Sequence, residues 1–130
     1  MVRIETDPMR RLRIARLEGR VDDAELISEY RRLLRDPDYD PEVDELVDLR
    51  GVLRFAISAE GLRGWLSLCQ ARGGRRRRRR ALVAGSPLTY GMSRMFESLT
   101  ADDGPERVRV FLDLAEAEVW LGAPAAEDAA

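Results

Sequence analysis

The sequence predicts a single α/β domain: a mixed, mostly parallel sheet of about five strands with about four helices. Three observations predict it. The chain has 130 residues, one domain's length, of which 45% are apolar and 35% charged, enough apolar content for one core. Short alternating apolar runs are followed by apolar stripes at helical spacing. The elements come in the order strand, strand, helix, strand, helix, strand, helix, strand, helix, and alternation after an opening hairpin is the pattern of parallel strands joined by helical crossovers.

Val2 to Thr6 alternates weakly and reads as the first strand, closed by the turn residues Asp7-Pro8. Leu12, Ile14 and Arg16 alternate with Arg13, Ala15 and Leu17 in a second strand ending at Gly19. Asp22 to Arg35 is predicted as a helix, with Asp22 and Glu25 spaced as a capping box and Leu26, Ile27, Tyr30, Leu33 and Leu34 on one stripe. Asp36-Pro37 stops it, because proline disfavours helix at the residue before it. Glu45 to Leu49 reads as a central strand. Ser58 sits where an N-cap is wanted, ahead of a second helix running to about Ala71 with Leu62, Trp65, Leu66 and Cys69 on its apolar side. Gly73-Gly74 ends that helix. Ala81 to Ala84 is a short buried strand with Arg79 and Arg80 leading in. Gly85-Ser86-Pro87 opens a third helix, Ser86 as cap and Pro87 in the first turn, whose stripe is Leu88, Met92, Met95, Phe96 and Leu99. Val108, Val110 and Leu112 alternate as the last strand, and Asp113 to Glu116 forms a second capping-box pattern before a closing helix with Leu114, Ala117 and Leu121. The domain is expected to span 1–121, with an Arg-rich loop at 73–80 and a disordered tail at 122–130.

What is missing narrows the chemistry. Histidine is absent, all 22 basic residues are arginine, and Cys69 is the one cysteine. Ser-His-Asp triads, imidazole metal ligands, Schiff-base lysines, paired thiols and internal disulfides are therefore excluded. Carboxylates, arginine and hydroxyls remain, and a carboxylate enzyme needs two acids converging in a cleft. No cofactor is expected and no metal site, although Asp44, Glu45, Asp48 and Asp113 could be read as a carboxylate cluster for a divalent ion. The first residues carry charge where a signal peptide needs an apolar run, and no stretch reaches membrane-span length. Those features, with arginine in place of lysine and no asparagine, lead to the expectation of a cytoplasmic bacterial protein.

Several segments then become familiar together: Leu46-Val47-Asp48-Leu49-Arg50-Gly51-Val52, Ser58-Ala59-Glu60-Gly61-Leu62, Tyr90-Gly91-Met92-Ser93-Arg94-Met95, and Val110 through Leu121. In that order and spacing, over nearly all of residues 2–121, the chain resembles STAS-type domains, specifically the SpoIIAA-like branch that shares its fold description with lipid-binding CRAL-TRIO proteins. The resemblance implies a STAS-like α/β sheet with helices packed on it. The better-known STAS proteins are anti-sigma-factor antagonists with a phosphorylated serine at the start of the second helix, in an Asp-Ser-Ser/Thr-Gly setting. Ser58 matches that position; Ile57 stands where the setting has aspartate, and Ala59-Glu60 precede Gly61. A phosphate on Ser58 would gain from the helix dipole and be opposed by Glu60.

The expectation that follows is a non-catalytic regulatory or protein-binding module, paired with itself as a homodimer or with another protein. The alternative is a carrier of an apolar small molecule or lipid, suggested by the CRAL-TRIO kinship and by Met92, Met95 and Phe96. The candidate binding surface runs from Ser58 to the turn at Ser86 and takes in Thr89, Tyr90 and Arg94. Arg75, Arg76, Arg77, Arg78, Arg79 and Arg80 form the other conspicuous feature. Without their six charges the formal net charge of −2 becomes −8, so the positive charge is concentrated in one segment. Such a run neutralises phosphates where it is functional, but a solvated, self-repelling loop is its ordinary reading. No aromatic residue interleaves with it to stack on bases, so nucleic acid is not an expected partner.

Overall fold

The computed structural model describes residues 1–123. The elements are β1 (Val2–Asp7), β2 (Leu12–Asp22), α1 (Asp23–Arg35), β3 (Asp44–Ala56), α2 (Ala59–Cys69), β4 (Arg78–Val83), α3 (Pro87–Leu99), β5 (Glu106–Phe111) and α4 (Leu114–Gly122). The five strands form one sheet in sequence order; β1 is antiparallel to β2, and β2 through β5 are parallel. Element order and strand direction are those expected from the sequence.

The pleat decides which side chains meet the helices, because successive strand residues point to opposite faces. Ala15, Leu17, Val47, Leu49 and Leu82 pack with Leu26 and Tyr30 of α1, Leu62, Trp65 and Cys69 of α2, and Phe96 of α3. Trp65 is the centre of this core, edge-on to Tyr30 at 5.8 Å and tilted against Phe96 at 4.7 Å. The alternate residues Leu12, Leu46, Ala81, Val83 and Phe111 form the smaller core on the opposite face, closed by Ala117 of α4.

Several boundaries differ from the sequence reading. β2 runs on to Asp22, through a register irregularity at Gly19, whose φ of 65° is left-handed. β3 runs on to Ala56, paired with β2 well beyond its pairing with β4. β4 starts at Arg78, so Arg78, Arg79 and Arg80 are strand, and the expected loop at 73–80 is correct only up to Arg77. α4 carries the ordered chain through Gly122; the rest of the expected tail, from residue 124 on, lies outside the described residues.

Candidate functional site

The parallel strands give the sheet two unlike ends. At the carboxyl ends, each helix starts on a capping side chain: Asp22 for α1, Ser58 for α2, Ser86 for α3 and Asp113 for α4. This is where ligands usually bind in open α/β sheets, and the topology brings the candidates Ser58 and Ser86 to this same end, after adjacent strands.

Their hydroxyls are engaged within the chain. Ser58 Oγ accepts the Gly61 N–H at 2.9 Å and donates to Asp23 Oδ2 at 2.5 Å, while the Ser58 N–H donates to Asp23 Oδ1 at 2.9 Å. A phosphate on Ser58 would confront the Asp23 carboxylate as well as Glu60. Ser86 and Thr89 form a full capping box: the Thr89 N–H donates to Ser86 Oγ and the Ser86 N–H to Thr89 Oγ1, both at 3.1 Å. Thr89 is buried. Tyr90 is partly exposed, and Arg94 pairs with Glu97 one helical turn on, at 3.2 Å. The capping box expected at Asp22 and Glu25 is only half present: the Glu25 N–H donates to Asp22 Oδ1, but the Glu25 carboxylate accepts the N–H of Val2.

The amino ends of the strands hold the arginine run, and here the structure overturns the solvated-loop reading. Arg78, Arg79 and Arg80 are 0%, 1% and 1% exposed. The register sets Arg13, Glu45 and Arg80 side by side on β2, β3 and β4, and sets Arg78 beside Glu106 on β5, all on the face covered by α1, α2 and α3. Arg80 Nε donates to Glu106 Oε2 at 2.8 Å, Arg78 Nε donates to Glu106 Oε1 at 2.9 Å, and Arg80 forms an ion pair with Glu45. Arg13 lies 3.5 Å from Glu45, which also accepts the Tyr30 hydroxyl at 3.0 Å. Arg78 further donates to the carbonyls of Pro41 and Arg72, each at 2.8 Å, and to that of Cys69 at the end of α2.

Burial alone would push the Glu106 carboxyl up; Arg80 and Arg78 outweigh it and hold the group below the ordinary carboxylate range. Burial, then Arg80, pushes Arg13 down. Burial pushes the Tyr30 hydroxyl and the Cys69 thiol well up, so Cys69 is a buried thiol, not an activated nucleophile.

Arg79 points to the other face. It donates to the carbonyl of Trp120 at 2.6 Å, near the end of α4, and lies 5.9 Å from the Trp120 ring. Arg76 pairs with Asp44 through both carboxylate oxygens, at 2.8 and 3.2 Å. Arg77 donates to the carbonyls of Asp102, Gly104 and Glu106. The side chain of Arg75 is exposed. Within the run, then, Arg76, Arg78 and Arg80 meet carboxylates of the chain, Arg77 and Arg79 donate to its carbonyls, and the solvated-loop reading does not hold for Arg78, Arg79 and Arg80. The acids named for a metal are similarly engaged: Glu45 and Asp44 as above, Asp48 with Arg50 at 2.9 Å, and Asp113 as a cap accepting the Ala115 N–H at 2.7 Å. The space beneath α3, proposed for an apolar ligand, is filled by Phe96 against Trp65.

Comparison with known proteins agrees with this architecture. A solved structure of an uncharacterized DUF3478-family protein from Shewanella loihica PV-4 superposes with a TM-score of 0.61, covering 93% of this chain and 92% of that one at 19% identity. The fold is SpoIIAA-like. The resemblance read from the segments around Asp48, Ser58, Tyr90 and Asp113 is thereby shown at the level of fold. No family model and no curated protein matches the chain. Within this SpoIIAA-like sheet, the buried arginine–glutamate network is what sequence reading missed. The available signal was an acid at the start of each flanking strand, Glu45 before Leu46-Val47 and Glu106 before Arg107-Val108. No helix among the described residues is long and apolar enough to cross a membrane.

Proposed function

We propose that this chain is a non-catalytic protein-binding module of the STAS type, acting in the cytoplasm through the surface that starts at the Ser86 turn. One observation carries the reading. Leu88, Met92, Met95 and Leu99 of α3 recur at spacings of four, three and four, which align them along one side of a helix. The sequence assigned this stripe to the core, yet Leu88, Met95 and Leu99 are 56%, 47% and 45% exposed. Phe96, Ser93 and Thr89 make the buried contacts instead. Met92 packs partly against the core, and the exposed Leu88, Met95 and Leu99 beside it leave an apolar strip on the helix that suits a partner helix. Two copies related by a two-fold axis would bring identical stripes together, which is the simplest form of the proposal. The apolar-ligand alternative has less support, because Phe96 occupies the volume such a ligand would need.

Sedimentation velocity over a concentration series tests the self-associating form. We expect a concentration-dependent dimer that Met95→Glu with Leu99→Glu reduces to monomer, with the circular dichroism spectrum unchanged. A dimer indifferent to both charges would overturn the assignment of this stripe.

A further inference from the structure

We propose that the recess between β2, the end of α1 and the loop that follows it binds a small α-amino acid, with the ligand carboxylate on Arg13 and its ammonium toward the aspartates at the mouth. The recess lies apart from the α3 stripe, and the proposal does not depend on that reading.

The buried network at the amino ends of the strands is one anion short. On the face covered by α1, α2 and α3 it holds three guanidiniums, Arg13, Arg78 and Arg80, and two carboxylates, Glu45 and Glu106. Buried charges are normally paired, and the shortfall falls on Arg13. Arg78 and Arg80 both donate to Glu106, and Arg80 also pairs with Glu45, which accepts the Tyr30 hydroxyl as well. Arg13 is left 3.5 Å from this shared carboxylate. It is 2% exposed, yet its Nε–H has no hydrogen-bond partner among the described residues.

A recess of about 250 Å³ opens beside that side chain. The Tyr39 ring lies 5.0 Å from the Arg13 guanidinium and 4.9 Å from that of Arg72, so it steadies Arg13 without cancelling its charge. Leu33 and Val43 supply apolar wall. Asp36, Asp38 and Asp40 also line the recess, the first two exposed and therefore toward its mouth. Asp36 and Asp40 each use one carboxylate oxygen on a backbone N–H, of Asp38 and Glu42, both at 2.9 Å. None of the three aspartates forms an ion pair with Arg13 among the described residues.

A cationic floor under an anionic mouth specifies the ligand. A bare anion reaching Arg13 would pass three carboxylates, and a bare cation held by those carboxylates would face Arg13. A molecule with carboxylate and ammonium on one carbon satisfies both, and a guanidinium is well suited to the carboxylate. The volume is below that of drug-sized sites, roughly 300–1,000 Å³, and Leu33 and Val43 favour a short aliphatic side chain. Burial and Arg80 push Arg13 down, and a ligand carboxylate would offset both.

Isothermal titration calorimetry of the full chain with L-valine tests the site. We expect saturable binding, with isovalerate and isobutylamine, which each lack one of the two charges, weaker by about tenfold or more. Arg13→Met should lose binding and keep the circular dichroism spectrum, because Glu45 retains Arg80 and Tyr30 as partners. Asp36→Asn keeps the oxygen that accepts the Asp38 N–H; it should weaken valine about threefold and leave isovalerate no weaker. Valine binding unchanged by Arg13→Met would overturn the carboxylate assignment. Isovalerate binding as tightly as valine would overturn the zwitterion, and absence of valine binding by the folded chain would overturn the proposal.

Discussion

The two ends of the parallel sheet use their polar residues in opposite ways. At the carboxyl ends, Ser58, Ser86, Asp22 and Asp113 each satisfy backbone N–H groups at a helix start, with short local hydrogen bonds near the surface. At the amino ends, Arg13, Arg78, Arg80, Glu45 and Glu106 are buried together and drawn from four strands. A cap removed from the first end leaves water to take its place. A charge removed from the second leaves its partners buried and unpaired. The two ends should therefore differ several-fold in sensitivity to substitution.

Glu106→Gln carries the largest expected effect. Glu106 accepts from both Arg78 and Arg80, and breaking a buried ionic group by removing one partner costs about 3–5 kcal/mol. Urea denaturation would measure it. A loss under 1 kcal/mol would mean that the network is far better solvated than its burial indicates.

The same carboxylate gives this end a pH signature. Glu106 titrates below its ordinary value of 4.5 in the folded chain, because Arg80 and Arg78 overcome the effect of burial. Its contribution is therefore fully present above that ordinary value and is lost as pH falls through the lower, folded one. Urea midpoints should be steady near neutrality and fall on acidification below about pH 4.5. The Glu106→Gln chain should show a shallower fall over that window.

At the carboxyl end, Gly61→Ala tests the clamp on Ser58. A methyl group at Gly61 would lie 2.0 Å from Asp23 Oδ1, the carboxylate that clamps Ser58. Displacing it should cost about 1–3 kcal/mol. Ser58→Ala removes the cap and should cost about 1 kcal/mol. Thermal melts of the two variants would rank them; a reversed order would show that Asp23 gives way easily and that the Ser58 hydroxyl is the stronger element.

This contrast follows what was legible in the sequence. The caps could be read because their partners lie within three residues, as with Ser58 and Gly61 or Ser86 and Thr89. The alternation of Val47, Leu49 and Leu82 and the stripe of Leu62, Trp65 and Cys69 placed the core for the same reason. Arg80 could not be read this way, since Glu106 lies 26 residues on and meets it only through the strand register. Local composition describes six arginines as self-repelling; the neutralisation of Arg78 and Arg80 depends on pairing between strands. The α3 stripe failed in part, in the reverse direction: Phe96 and Met92 meet the core, but Leu88, Met95 and Leu99 are exposed. Its spacing was correct for a helix, but spacing does not reveal whether a neighbour covers that side.

The smallest expected effect divides the arginine run itself. Arg75 offers its backbone N–H to Glu42 at 2.8 Å, an interaction that any non-proline residue makes, and its side chain is exposed. Arg75→Ala should therefore change stability by no more than about 0.5 kcal/mol. Arg78→Met, three residues on, leaves Glu106 short of a partner and the carbonyls of Pro41, Arg72 and Cys69 without their donor, and should cost several times as much. Equal losses at both positions would mean that the run acts through its total charge, and the division between loop and strand would carry no energetic weight.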